Sequence, residues 1–219
     1  MGASWSQAQT FKRLGLQPNR IVEAIIATYD GGGKPNAAPM GVLVEADGSL
    51  TIKPYTQTTT FKNLKRHGQC TVNLTSSPEA FFRAAFKDLV GGLPEGWFIK
   101  ARRVNAPRLR QAEGWLEVRV ARETESGDRA IFSCVVEAIY LGRVWLKAYC
   151  RADFAAIESV IHATRVLVYL KLGEKDRCMR LLRLISHYRS LVERVAPGSE
   201  ASRVMEGLAS ILRKHGFEV

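Results

Sequence analysis

The chain has 219 residues, of which 46% are hydrophobic, so it is able to bury a sizeable core and does not have the composition of a disordered protein. No apolar run approaches the roughly 20 residues that span a bilayer. The formal net charge of +11 favours an anionic partner, namely a phosphorylated cofactor, an acidic substrate or nucleic acid.

Two further features of the composition bear on location and metal content. The first twenty residues lack the apolar segment of a secretory signal, which predicts a cytoplasmic protein. The four cysteines are far apart, with no CxxC pair and no histidine at ligand spacing. This spacing predicts reduced thiols and no metal site.

The first part of the chain has the pattern of an antiparallel meander. β-Branched and alternating runs end at turn signals such as Asp-Gly-Gly-Gly and Asp-Gly-Ser. These runs predict strands over residues 20–29, 36–44, 50–55 and 70–74. Between the last two, a short helix is predicted over residues 61–67, capped by Thr60 and ended by Gly68.

The middle of the chain adds a helix over residues 78–88 and a long hairpin formed by residues 115–123 and 130–141. Six or more strands without a βαβ rhythm favour an antiparallel barrel over a parallel sheet. After Arg151 the spacing becomes helical, with three helices predicted over residues 153–171, 174–195 and 200–215.

These elements predict a mainly β fold with α-helices, in which a barrel is followed by a helical unit of about three helices. The predicted domains are an N-terminal lead-in over residues 1–19, a barrel over residues 20–148 and a helical extension over residues 149–219.

Four threonines crowd into the segment that precedes the first helix: Thr56, Thr58, Thr59 and Thr60. A helix N-terminus exposes unpaired N–H groups and a partial positive charge, and flanking hydroxyls add neutral donors, so this pattern suits a phosphate group. Lys53 and Lys62 add charge, and the amide of Asn63 is one turn away. The alternative is that Thr60 caps the helix while the other threonines are present as strand formers.

A second candidate segment is Asn-Ala-Ala-Pro-Met-Gly over residues 36–41. Small residues and a proline within a strand interrupt the ladder and let a flat ligand approach the backbone. An edge strand or a β-bulge explains the same residues without a ligand.

These segments together carry a resemblance. "NAAPMG" followed by "TIKPYTQTTTFKNL" and "CTVNL" resembles the FMN-binding split-barrel superfamily of flavin reductases and pyridoxamine-phosphate-oxidase-like proteins. "NAPRL" and "CRADFAAIESVIHATR" resemble an archaeal-type branch with a helical C-terminal extension. The sequence departs from that branch at Cys150 and Asp153, where Asn and Glu are expected.

The resemblance implies an antiparallel split β-barrel that binds FMN and forms a homodimer with the flavin at the subunit interface. It implies that phosphate is bound by Thr58, Thr59, Thr60 and Asn63, with Lys53 and Tyr55 nearby. The ring system would lie along the backbone of Asn36, Ala38, Pro39, Met40 and Gly41. Asn73 and Arg151 complete the implied cofactor-binding set.

Three polar residues share one face of the first helix of the extension. Glu158, His162 and Arg165 are spaced i, i+4 and i+7, so they share a face. A histidine held by a carboxylate is a candidate proton donor to a reduced flavin or its substrate. The competing interpretation is a set of surface charges that docks the extension.

We therefore predict a flavin-dependent oxidoreductase of the flavin reductase type, with a small-molecule electron donor or acceptor. Two alternatives stay open: a basic nucleic-acid-binding module on a barrel that has lost its flavin, and a non-redox protein that binds a phosphorylated or pterin-like ligand. A run of surface aromatic residues interleaved with Lys and Arg would favour nucleic acid, and the sequence shows no such run.

Overall fold

The computed structural model describes residues 9–11, 14–142 and 150–219. The chain divides into two compact units, which we call the barrel unit (Met1–Thr75 with Leu93–Trp145) and the helical unit (Ser76–Gly92 with Leu146–Val219). The predicted domains placed the segment Ser76–Gly92 within the barrel span. The segment groups with the helices instead, because its phenylalanines pack there and not in the barrel core.

The described residues of the barrel unit form eight strands: β1 (Ile21–Tyr29), β2 (Pro35–Val44), β3 (Leu50–Ile52), β4 (Gln69–Leu74), β5 (Phe98–Lys100), β6 (Pro107–Leu109), β7 (Gly114–Ser126) and β8 (Arg129–Leu141). Six of them close into a barrel in the order β1-β2-β3-β8-β7-β4, and every pairing is antiparallel. The predicted antiparallel barrel is confirmed. β5 and β6 form a separate two-stranded sheet, which sequence analysis missed because three residues are too few to show a period.

The barrel interior is filled by alternate side chains of each strand. Ile26, Ile52, Leu116 and Phe132 are among the fully buried members of this core. A short helix, α1 (Thr59–His67), adds Phe61 and Leu64 to the same core. Its position follows from its sequence, since these two apolar residues lie on one face while lysines occupy the other.

The start of α1 differs from the prediction. Its N-cap is Thr58, whose hydroxyl accepts a hydrogen bond from the N–H of Phe61 at 3.3 Å, and the helix begins at Thr59. The predicted cap, Thr60, is instead a buried residue of the first turn. Gly68 ends the helix in the left-handed region at φ 61°, as predicted, and its N–H donates to the carbonyl of Leu64.

Where the structure describes the helical unit, it has four helices: α2 (Pro78–Phe86), α3 (Arg151–Lys171), α4 (Lys175–Val195) and α5 (Glu200–Lys214). The three predicted C-terminal helices are confirmed. Glu200 links two of the four, because its Oε1 accepts from the hydroxyl of Ser77 at 2.5 Å and from the N–H of Glu79 at 3.0 Å. Within the described residues, none of the helices is long and apolar enough to cross a membrane.

Candidate functional site

One edge of β2 has no strand neighbour along most of its length. β1 pairs with β2 from Pro35 to Leu43, whereas β3 pairs with it only over Val42–Val44. The stretch over residues 35–41 therefore has a strand neighbour on one side alone. This is the segment in which the sequence predicted either a ligand-facing backbone or an edge strand, and the structure makes it an edge.

The hydrogen-bonding direction alternates along β2. The pairs Asp30–Lys34 and Arg20–Val44 are joined by backbone hydrogen bonds of 2.9 and 3.0 Å, so even-numbered residues of β2 face β1. Pro39 and Gly41 consequently direct their backbone groups to the open edge. Proline costs no ladder hydrogen bond at this position, and the carbonyl of Pro39 and the N–H of Gly41 are available to a ligand.

A gap separates this edge from the next segment of chain. Beyond Ile52, which pairs with Val42, the chain leaves β2 and runs through Lys53 to the start of α1. It meets β2 again where the amide Nδ2 of Asn36 donates to the hydroxyl of Thr60 at 3.3 Å. We call the stretch of this edge over residues 38–41, between the two contacts, the β2 cleft. It spans about 10 Å of strand, and the N-terminus of α1 lies beyond its Asn36 end.

The threonines have different roles at this end. Thr58 donates its hydroxyl proton to the carbonyl of Tyr55 at 2.7 Å and also caps the helix, so its hydroxyl is fully used. Thr60 is buried and holds Asn36. Thr56 donates to the carbonyl of Asp128 at 3.3 Å. Thr59 is the exposed threonine of the first turn.

The electrostatics of the α1 terminus favour an anion. The first turn has no acidic residue. The N–H groups of Thr59 and Thr60 come before that of Lys62, which donates to the carbonyl of Thr58 and is the first to bond within the helix, so they are left for a ligand. Lys53 and Lys62 are exposed, and no acidic side chain of the described residues lies within ion-pair distance of either. One end of the β2 cleft therefore has the positive end of a helix dipole, two N–H donors and two lysine charges.

Arg129 is a further cation that sequence analysis did not identify. It lies at the start of β8, where its Nη1 donates to the carbonyl of Lys53 at 3.1 Å. Its guanidinium lies 3.8 Å from the ring centroid of Tyr55. The β-bridge between Tyr55 and Arg129 explains this contact, and no local pattern predicts a bridge across 74 residues.

Two predicted cofactor-binding amides are engaged within the protein. Asn63 Nδ2 donates to the hydroxyl of Thr28 at 2.9 Å, which ties α1 to β1. Asn73 is fully buried; its Nδ2 donates to the carbonyl of Ile25 and the hydroxyl of Thr71, both at 2.9 Å. Its Oδ1 accepts from the N–H of Leu109 at 2.8 Å. Asn73 therefore holds β6 against the barrel and has no amide proton left for a ligand.

The remaining predicted residues lie in the helical unit. Arg151 is the first residue of α3 and is exposed. Glu158 and Arg165 are exposed on the same helix, whereas His162 is half-buried and stacks on Tyr188 with ring centroids 6.1 Å apart. Their catalytic role stays a prediction, because the β2 cleft belongs to the barrel unit. Among the described residues no cluster of metal-ligating side chains is present.

His162 makes stability depend on pH. Burial lowers the pKa of His162 below its usual 6.5, although the negative charge of Glu158 acts to raise it. The Nδ1 of His162 has no hydrogen-bond partner among the described residues. The histidine therefore binds a proton more readily in the unfolded chain than in the folded one. Its contribution to the free energy of unfolding is complete above pH 6.5 and is lost as the pH falls below that value. We expect the denaturation midpoint of the wild type to fall more between pH 7.5 and 5 than that of His162→Phe.

Phenylalanine is chosen because it preserves the stack on Tyr188 and cannot be protonated. His187→Phe, at an exposed neighbouring position of α4, is the matched control. An equal fall in the wild type and His162→Phe would contradict the assignment, and circular dichroism of the helices provides the measurement.

Comparison with known proteins gives a family and a fold. The model of the N-terminal domain of DUF447, a protein family of unknown function, matches residues 22–142, which is more than half of the chain. A crystal structure of an FMN-bound DUF447 protein from Methanosarcina mazei superimposes with a TM-score of 0.76 at 22% identity, covering 91% of this chain and 98% of that chain.

Two more distant structures have smaller overlaps. The flavin reductase of styrene monooxygenase from Pseudomonas putida gives a TM-score of 0.48 at 17% identity and covers 56% of this chain and 81% of that one. A flavoredoxin from Methanosarcina acetivorans gives 0.49 at 20% identity, with 58% and 72% covered. These two likenesses are too distant to support an inference about activity.

Proposed function

We propose that this chain, which belongs to the family defined by the DUF447 N-terminal domain, binds FMN in the β2 cleft and acts as a flavin-dependent oxidoreductase. The observation that carries the proposal is the juxtaposition of an open strand edge and a helix N-terminus, joined by the hydrogen bond from Asn36 to Thr60. The Methanosarcina mazei protein of the same fold is FMN-bound, which supports the choice of ligand.

The residues present fit the two ends of FMN. The α1 N-terminus offers two free N–H groups and the Thr59 hydroxyl to a phosphate. At the other end, the carbonyl of Pro39 and the N–H of Gly41 offer one acceptor and one donor, the pair that a flavin's pyrimidine edge requires. Small side chains at Ala38 and Gly41 leave room for a flat ring near the backbone.

When bound, the isoalloxazine supplies the electron or hydride transfer. The protein's own contribution is to bind and orient. The Thr58 cap and the Asn63–Thr28 hydrogen bond hold the start of α1 in place, and Arg129 keeps the segment at Lys53 and Tyr55 against β8. The exposed cations Lys53 and Lys62 favour an anionic ligand and raise its association rate.

The proposal extends to assembly and location. The exposed apolar residues Ile21, Val135 and Leu141 of the barrel unit support a homodimer, and we propose that the flavin lies at its interface. We further propose a small-molecule electron donor or acceptor and a cytoplasmic location. Light scattering of the purified protein tests the proposed homodimer directly.

The test is the visible absorption spectrum of the purified protein, followed by titration of the stripped protein with FMN and with riboflavin. We expect flavin absorption near one equivalent per chain and much tighter binding of FMN than of riboflavin, since only FMN carries the phosphate. A colourless protein that takes up neither compound would refute the proposal. Equal affinity for both would refute the phosphate role of α1.

A further inference from the structure

Four arginines lie along the β5–β6 hairpin, in its loop, in β6 and directly after it. The segment Lys-Ala-Arg-Arg-Val-Asn-Ala-Pro-Arg-Leu-Arg, residues 100–110, carries five cations and no acidic residue. Arg102 and Arg103 lie in the loop between the two strands, Arg108 lies in β6, and Arg110 follows it. We call these four residues the arginine cluster.

A buried carboxylate fixes the backbone of this loop. Glu117 on β7 is fully buried, and its two oxygens accept from the N–H groups of Arg102, Arg103 and Val104 at 2.5–3.3 Å. The indole Nε1 of Trp115 donates to the same carboxylate at 3.2 Å. Because the carboxylate holds the N–H groups inward, the loop is rigid while the side chains of Arg102 and Arg103 are exposed.

Two of the arginines are also oriented by aromatic rings. Trp115 and Tyr140 stack with centroids 5.0 Å apart and planes at 18°. The guanidinium of Arg108 lies 3.9 Å from the Trp115 centroid, and that of Arg102 lies 5.2 Å from the Tyr140 centroid. Both guanidinium groups are therefore held by cation–π contacts with the stacked pair.

The positive charge of the cluster is poorly neutralised. No described acidic side chain forms an ion pair with Arg102, Arg103, Arg108 or Arg110, and Glu117 is engaged by N–H groups. Burial lowers the pKa of Arg108, and the charges of Arg102 and Arg110 lower it further against the attraction of Glu117. Like charges held this close favour the arrival of an anion.

We propose that the arginine cluster is a binding site for phosphate groups. The rings of Trp115 and Tyr140 already contact each other and the guanidiniums of Arg108 and Arg102. Guanidinium groups match phosphate oxygens in two-pronged hydrogen bonds. The sources of such a group are a free nucleotide and the backbone of a nucleic acid. The site is separate from the β2 cleft, since strands β1 and β4 lie between β2 and β7.

The test is calorimetric titration of the full-length protein with inorganic pyrophosphate at low salt. We expect the double variant Arg102→Gln/Arg108→Gln to bind about 100-fold more weakly, because each arginine removed should weaken a charge-assisted interaction by about tenfold. The variant Arg102→Lys/Arg108→Lys keeps the charge but not the planar fork, and we expect an intermediate loss of affinity. Arg102→Gln alone covers the case in which the change at Arg108 impairs folding, since Arg102 is exposed.

The control variant Arg180→Gln/Arg183→Gln removes the same charge from exposed positions of α4. It should leave pyrophosphate affinity unchanged. Equal weakening in the α4 control, or unchanged binding in Arg102→Gln/Arg108→Gln, would overturn the proposal.

The source of the phosphate is decided by two further titrants, ADP and a single-stranded oligothymidylate. Comparable affinity for ADP and pyrophosphate assigns the cluster to a free nucleotide. Much tighter, steeply salt-dependent binding of the oligonucleotide, abolished in the double arginine variant, assigns it to nucleic acid. Failure of all three phosphate compounds to bind the wild type would refute the site, whether or not the protein retains FMN.

Discussion

Replacing Thr59 with glutamate is expected to abolish tight FMN binding while leaving the fold intact. A carboxylate about 5 Å from the cofactor phosphate at a partly solvated site opposes binding by about 3 kcal/mol, or roughly 100-fold in affinity. The same carboxylate lies in the first turn of α1, where the helix dipole favours it by about 0.5 kcal/mol. Binding and stability should therefore change in opposite directions.

Two measurements separate these effects. Titration of the stripped variant with FMN should show the loss, whereas riboflavin, which has no phosphate, should bind as it does to the wild type. The thermal midpoint of the ligand-free variant should equal or exceed that of the wild type. A parallel loss of affinity for both ligands would mean that the ring site was damaged, and unchanged FMN affinity would place the phosphate elsewhere.

Glu117→Gln is expected to destabilise the barrel unit by about 3 kcal/mol, because a charged acceptor in a buried site is removed. The carboxylate accepts from three backbone N–H groups and one indole N–H in a fully buried site. An amide of the same shape offers a single acceptor oxygen and turns an NH₂ group towards the other donors, so that buried donors are left unsatisfied. Losses of this kind are among the largest that single substitutions cause.

Glu137→Gln is the matched control, since it makes the same chemical change on β8 in an exposed pair with Arg119 at 2.8 Å. Surface pairs contribute less than about 1 kcal/mol. Urea denaturation followed by tryptophan fluorescence is suitable, because the tryptophans occupy positions 5, 97, 115 and 145, all outside the helical unit. Similar midpoints for the two variants would show that the N–H groups find other acceptors.

The barrel was predictable because its long strands carry their own signals. The turns at residues 30–34 and 47–49 and the alternation within β7 and β8 depend only on neighbouring residues. The helices of the extension were predictable for the same reason, as their apolar spacing is local. Residues 76–92 show the limit, because the helix α2 was visible in the sequence but the unit it packs in was not.

The structure brings two predicted segments together, since Asn36 of β2 donates a hydrogen bond to Thr60 of α1. Their binding of a ligand stays a prediction. The sequence did not show which threonine hydroxyl has which role, because Thr58, Thr59 and Thr60 are adjacent residues of the same type. Their roles depend on which one faces the core, and that follows from the point at which α1 begins.

The sequence by itself determined the strands, the helices, the positive charge and the polar residue types around the β2 cleft, because local periodicity and composition encode them. Tertiary structure alone decided that β3 ends before it covers Pro39, that Asn73 is engaged inside the protein, and that Glu117 anchors the arginine loop. Each of these depends on contacts between residues far apart in the chain, and no local pattern specifies which partner a strand edge or a buried polar group will find.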